Sequence, residues 1–239
     1  MPLPTIATPT YELELPSTGK KIKYRPFLVK EEKLLLLALE TENSKDISNA
    51  IKSVLKNCIQ SRGVKVETLP TFDIEYLFLN IRGKSVGEIL EIKLISPDDG
   101  ETPVPVEINL DDVQIQKDEK HNNTIKLDDK LVLEMTYPSL DQFVKNNFDF
   151  DGNIDMDQSF ELIASCVKKI YNDEEVWAAS DCTKKEIIAF LEQMNSKQFK
   201  EIETFFETMP KLSHTVTFVN PNTKNENTVV LEGLASFFE

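Results

Sequence analysis

The residues best spaced for chemistry lie in one acidic stretch, Asn147-Phe-Asp149-Phe-Asp151-Gly152-Asn153-Ile154-Asp155-Met-Asp157-Gln158. Aligned on Gly152, it resembles a calcium loop: oxygen-bearing side chains fall at its first, third, fifth and ninth positions, glycine at the sixth and an apolar residue at the eighth. Asn147, Asp149, Asp151, Asn153 and Asp155 would be the ligands. Two departures weaken the cage. Asn147 replaces the leading aspartate, and Gln158 stands where a bidentate glutamate is needed. The favoured reading is an acidic helix-entry loop with Asp157 near the next helix N-terminus, so no metal and no cofactor are assigned.

Other reactive side chains are widely scattered. His121 and His214 are the only histidines, and neither is near a cysteine in sequence. Cys166 and Cys182 lack the CxxC spacing of a zinc knuckle. Cys58, Cys166 and Cys182 are an odd number with wide gaps, which fits free thiols in a reducing compartment better than a disulfide framework. Gly19-Lys20-Lys21 lacks the spacing of a phosphate-binding loop, and no Gly-x-Ser-x-Gly elbow or His-Glu-x-x-His helix occurs. No catalytic residue is assigned, and the chain is expected not to be an enzyme.

Charge narrows the partners. Asp and Glu number 41 against 27 Lys and Arg, for a net charge of −14. Such a surface repels nucleic acid, whose binding depends on Lys and Arg displacing counterions, and it disfavours anionic membranes. There is no run of eighteen apolar residues and no basic-then-apolar leader, so neither a membrane span nor a signal peptide is expected. Acidic balance alone does not name a partner, and solubility also accounts for it.

The elements that must position these residues read as α+β. An extended proline-bearing arm (1–10; Pro2, Pro4, Pro9) precedes a hairpin, Tyr11–Leu15 and Lys21–Arg25 around Pro16-Ser-Thr-Gly19. A helix of leucines at Glu31–Glu40 follows. It is apolar all round, so it is expected to be buried on several sides. A second helix from about Asp46 carries the clearest stripe in the chain: Ile47, Ala50, Ile51, Val54, Leu55, Cys58 and Ile59. A third runs from Thr71 to near Gly83. Residues 11–85 thus form a hairpin plus a helical region.

A central antiparallel β segment follows at 86–137, with strands at Ile89–Ile95, Val104–Leu110 and Leu131–Thr136 and a polar loop at Lys117–Asn123. Residues 138–210 read as helical: Leu140–Phe148, Ser159–Tyr171, a helix opened by a Thr183-x-x-Glu186 capping box, and another from Ser196 to Pro210. The tail, 211–239, returns to a hairpin, His214–Val219 and Asn227–Leu231. One echo stands out. Ile92-Lys-Leu-Ile-Ser-Pro97 and Val216-Thr-Phe-Val-Asn-Pro221 each end a strand at a proline-led turn, as two equivalent hairpins would, although two common hairpins would look much the same.

Two segments suit partner binding: the arm with Pro2, Pro4, Pro9 and Tyr11, and the terminal Phe237-Phe238, which either docks on its own chain or on another.

The stretch Thr8-Pro-Thr-Tyr-Glu-Leu-Glu-Leu-Pro-Ser-Thr-Gly-Lys-Lys-Ile-Lys-Tyr-Arg-Pro-Phe-Leu-Val-Lys-Glu-Glu-Lys33 resembles the start of the baseplate hub protein family of T-even-type myophages. Met209-Pro-Lys-Leu-Ser-His-Thr-Val216 and Val229-Val-Leu-Glu-Gly-Leu-Ala-Ser-Phe-Phe238 resemble its C-terminus. The resemblance implies a structural or assembly protein of the contractile tail, assembled in the host cytoplasm, located in the virion tail baseplate and bound to other hub proteins. A hub assembly chaperone absent from the mature virion, and a calcium-binding module, are the alternatives. Some members of that family carry cysteine pairs at hairpin turns. Here Ser96-Pro-Asp-Asp99 and Asn220-Pro-Asn-Thr223 stand instead, so no metal ribbon carries over.

Overall fold

The computed structural model describes residues 6–41, 43–139, 156–233 and 236. Helices and antiparallel sheets mix along the chain, as an α+β reading requires. The hairpin is β1 (Tyr11–Glu14) and β2 (Lys21–Tyr24), followed by α1 (Val29–Leu39), α2 (Ser44–Cys58) and α3 (Thr71–Val86). Next come β3 (Ile89–Ile95), β4 (Pro103–Asn109), β5 (Gln114–Gln116), β6 (Thr124–Lys126) and β7 (Val132–Met135). Then follow α4 (Met156–Ser165), β8 (Val167–Tyr171), β9 (Val176–Ala178), α5 (Lys184–Leu191), α6 (Ser196–Thr208), β10 (Lys211–Val219) and β11 (Glu226–Glu232).

Local chemistry explains several of these elements. Asn43 caps α2 by accepting from the Lys45 and Asp46 amides at 2.9 and 3.2 Å. The α2 stripe from Ile47 to Cys58 is buried as its spacing requires. The Thr183–Glu186 capping box forms at the start of α5. Gly87, at φ +136, ends α3 in a conformation that L side chains rarely adopt.

The buried hydrophobic residues form two clusters. One joins the β1–β2 hairpin, α2, α3, the β3–β4 ribbon and the β11-β10-β5 sheet. The other joins the β6-β7-β8-β9 sheet with α4, α5 and α6. The chain leaves the first cluster after β5 and returns through β10. These two strands pair directly, Leu212 opposite Ile115.

Two expectations are corrected. The helix expected at Ser159–Tyr171 is a helix to Ser165 and then a strand, β8. Val167-Lys-Lys-Ile-Tyr171 pairs with β7, and an irregularity in that pairing at Glu134/Met135 lets both Val167 and Ile170 be buried, so sheet pairing overrides their helical spacing. The helix buried on several sides is α3, with Phe72, Ile74, Leu77, Leu79 and Ile81 almost sealed from solvent. Helix α1 is not, because it packs mainly on α2 and leaves Val29, Leu36 and Leu37 more than half exposed.

Candidate interaction surface

Helix α1 is held from below by one buried ion pair. The Arg25 guanidinium reaches Glu31 with Nη2 to Oε1 at 2.9 Å and Nη1 to Oε2 at 3.5 Å. Their side chains are only 12% and 2% exposed. Glu31 also accepts from the Leu28 amide at 2.9 Å, which satisfies one of the open donors at the helix start. Burial alone would raise the Glu31 pKa. The Arg25 hydrogen bonds and the Leu28 amide outweigh it and hold the carboxyl below its usual range. Arg25 Nη1 is bound to the Pro26 carbonyl at 2.8 Å, so the guanidinium is fixed at both ends of its fork.

This anchor turns Glu31 and Ala38 inward and leaves the leucines out. Leu36 is 57% exposed, Leu37 51% and Val29 81%. Leu34 and Leu39 flank them, partly exposed. Leu36 and Leu39 also line an apolar groove of about 240 Å³, together with Phe27, Ile51, Phe78 and Val86. Leucines exposed on both flanks of one helix, with an apolar groove beside them, suit a docking surface on an otherwise acidic chain.

A second constellation lies where the two echoed turns meet. Ser96-Pro-Asp-Asp-Gly100 and Asn220-Pro-Asn-Thr-Lys224 share one backbone pattern. The Gly100 amide donates to the Ser96 carbonyl at 2.8 Å, and the Lys224 amide to the Asn220 carbonyl at 3.0 Å. The fifth residue of each has positive φ, +70 and +66. Asn220 donates through Nδ2 to Asp98 at 2.8 Å and Asp99 at 2.9 Å. Asn222 donates to Thr102 at 2.9 Å and Asn225 to Asp98 at 3.2 Å, while the Thr223 hydroxyl also donates to Asp98. The tips of the two ribbons are therefore stapled by neutral donors on paired carboxylates.

Those donors pull both carboxyls far below the ordinary aspartate value: Asp98 chiefly through Thr223, then Asn220 and Ser96, and Asp99 chiefly through Thr102. With folded-state values depressed, the stabilisation is fully present above the unfolded value of about 3.9 and is lost as pH falls toward the folded one. Asp73 has the opposite sign, because burial raises it against the Ser17 hydrogen bonds. A difference between variants isolates the staple. Stability measured by denaturant from pH 4 to pH 2 should fall less steeply in Asp98→Asn than in the native chain; equal slopes would remove the staple from the acid response.

The third constellation is aromatic and joins the two clusters. Tyr137 meets Phe72 of α3 edge-on at 5.0 Å and stacks with Phe205 of α6 at 5.8 Å. His121 completes it, bonded through Nδ1 to Thr208 and through Nε2 to Tyr137, each at 3.0 Å. Burial lowers its pKa, which keeps the ring neutral at pH 7. The Thr71 amide adds a bond to the Pro138 carbonyl at 3.0 Å.

The residues singled out from sequence are placed unevenly. Pro2, Pro4, Phe237 and Phe238 lie outside the described residues, as do Asn147, Asp149, Asp151, Asn153 and Asp155. Pro9 is exposed. Tyr11 is half-buried against Tyr24 at 5.8 Å, so its ring belongs to the hairpin's own packing. Among the described residues no three His, Cys, Asp or Glu side chains gather as metal ligands. Cys58 and Cys166 are buried, and burial pushes their thiols up to about 11 and about 12. Cys58 is buried in the first cluster, whereas His121 packs on Phe205 of the second. Among the described residues no helix is long and apolar enough to cross a membrane.

A family model described as T4 bacteriophage base plate protein matches residues 8–239. Neither the curated proteins nor the solved structures gave a match.

Proposed function

Because the chain belongs to the T4 bacteriophage base plate protein family, we propose that it is a non-enzymatic structural protein of the baseplate hub, working through contacts with other tail proteins. The observation that carries the docking role is the leucine face of α1, where Leu36 and Leu37 stand more than half exposed. A chain that needed only its own core would have turned those side chains inward or replaced them, since each is worth roughly 1.5–3 kcal/mol when removed from water. The net charge of −14 favours protein partners over genome contact.

The arm with Pro2, Pro4, Pro9 and Tyr11, and the terminal Phe237-Phe238, are further contacts in this reading. Assembly takes place in the host cytoplasm, where free Cys58, Cys166 and Cys182 persist as thiols. Mass spectrometry of purified virions tests the role directly. The chain should be present in fixed ratio to other hub proteins; its absence would make it an assembly chaperone that leaves before the particle is complete. Deleting Met1–Pro9 should leave melting unchanged and abolish co-purification with hub partners, and retained complexes would remove the arm from the interface.

A further inference from the structure

We propose that the exposed face of α1 docks a second copy of this chain, the two helices lying antiparallel about a two-fold axis between Leu36 and Leu37. This rests on the reading of α1 as a docking surface; the hub assignment stands without it.

The pattern Lys33-Leu-Leu-Leu-Leu-Ala-Leu-Glu40 is self-complementary about that midpoint. Helical residues advance by about 100° each. With Glu31 and Ala38 fixed inward, the opposite side of α1 carries Lys33 and Glu40 along its centre, with Leu36 on one flank and Leu37 on the other. A two-fold axis perpendicular to both helices brings Leu36 against the second copy's Leu36, and Leu37 against its Leu37. Lys33 and Glu40 lie equally far from the axis, on opposite sides, at about 5 Å of helical rise. Each Lys33 therefore meets a Glu40, twice per dimer. A parallel pair would instead set lysine on lysine and glutamate on glutamate, so the charges select the antiparallel register.

The groove supports the same occupant. Leu36 lines it together with Val86 and Leu39, so the incoming Leu36 lies beside the groove and covers apolar surface on both partners. Opposing this is the repulsion of two chains of charge −14, which salt screens beyond about 8–10 Å. The patch itself is nearly balanced, with Lys30 and Lys33 against Glu32 and Glu40. Three helical turns bury less than a standard interface of about 1,200–2,000 Å². The dimer is accordingly weak in solution, and a particle that holds two copies side by side raises its occupancy.

Sedimentation equilibrium of the full chain from about 1 to 200 μM should show a monomer–dimer equilibrium, the range in which small interfaces associate. Lys33→Glu alone, or Glu40→Lys alone, should weaken association about tenfold by turning both pairs repulsive, and the double swap should restore it. Lys33 and Glu40 are both exposed, so folding is not at stake, and circular dichroism checks that. Under mild oxidation Leu36→Cys in a Cys182→Ser background should give a disulfide-linked dimer that Cys182→Ser alone, with Cys58 and Cys166 buried, does not. A monomer throughout the range, a dimer indifferent to both single swaps, or failure of the double swap to restore would each overturn the proposal. None of these outcomes touches the presence of the chain in virions, which tests the hub reading separately.

Discussion

Replacing Arg25 with alanine is expected to lower the free energy of unfolding by about 3–5 kcal/mol, the range for stripping one partner from a buried pair. The guanidinium is 12% exposed and its carboxylate partner 2%, so water cannot take over the lost hydrogen bonds. Glu31 would keep the Leu28 amide but lose the charge that outweighs its desolvation. Two controls separate burial of a charge left with only the exposed Lys30 ammonium at 3.6 Å from lost packing. In Arg25→Ala the Glu31 pKa should rise, so the deficit should shrink as pH falls and the carboxyl takes up a proton. Arg25→Met combined with Glu31→Leu should recover most of the loss, because matched apolar side chains often replace a buried pair at little cost. Denaturant titration at pH 7 and pH 5 reads both. A deficit below about 1 kcal/mol, the scale of exposed pairs, would refute the assignment. The consequence is also functional, since this pair sets which side of α1 faces outward.

Phe205→Ala should be about as damaging, roughly 3–5 kcal/mol, the usual cost of emptying a buried phenylalanine site. Phe205 is 2% exposed within the second cluster. It also touches His121 at 5.2 Å and Tyr137 at 5.8 Å, and Tyr137 carries the contact on to Phe72 of α3. The variant therefore weakens one cluster and the junction between both. The chain's single tryptophan, Trp177, sits on β9 beside that second cluster, so its fluorescence reports on one side of the junction. In the variant, the fluorescence transition should precede the far-ultraviolet one, whereas the native chain should show the two nearly together. Coincident transitions in the variant would mean that the clusters couple elsewhere.

Much of the scaffold was legible from local pattern. The α2 stripe, the Thr183–Glu186 box and the two echoed hairpins are decided by residues within a dozen positions of one another, and the chain folds there as it reads. The rest depended on distant partners. Val167 to Tyr171 has helical spacing and strand-forming residues together, and only pairing with β7 decides between them. The leucines of α1 state that apolar surface must be covered but not by which molecule, which is why burial within the chain was the natural expectation. Asp98 and Asn220 are 122 positions apart; the echo of proline-led turns was the one available signal, and it gave no hint that the tips would touch. His121 lay in a loop read as polar, and both its ring nitrogens are bonded to residues no periodicity could nominate. Leu28-x-x-Glu31 after Pro26 was a usable sign of a helix start, but Glu31 as the partner of Arg25 was not.

The pairing of β5 with β10 sets an order on biosynthesis. Every buried member of the second cluster, from Ile125 to Phe205, is translated before Lys211. The first cluster needs Leu212, Val216, Phe218 and Leu231, which emerge after the second. The segment made later can thus finish packing while the earlier one still waits, its sheet one ribbon short and the α3 surface that meets β10 open. The nascent chain closes the unit it began with only after every residue of the second cluster has been made.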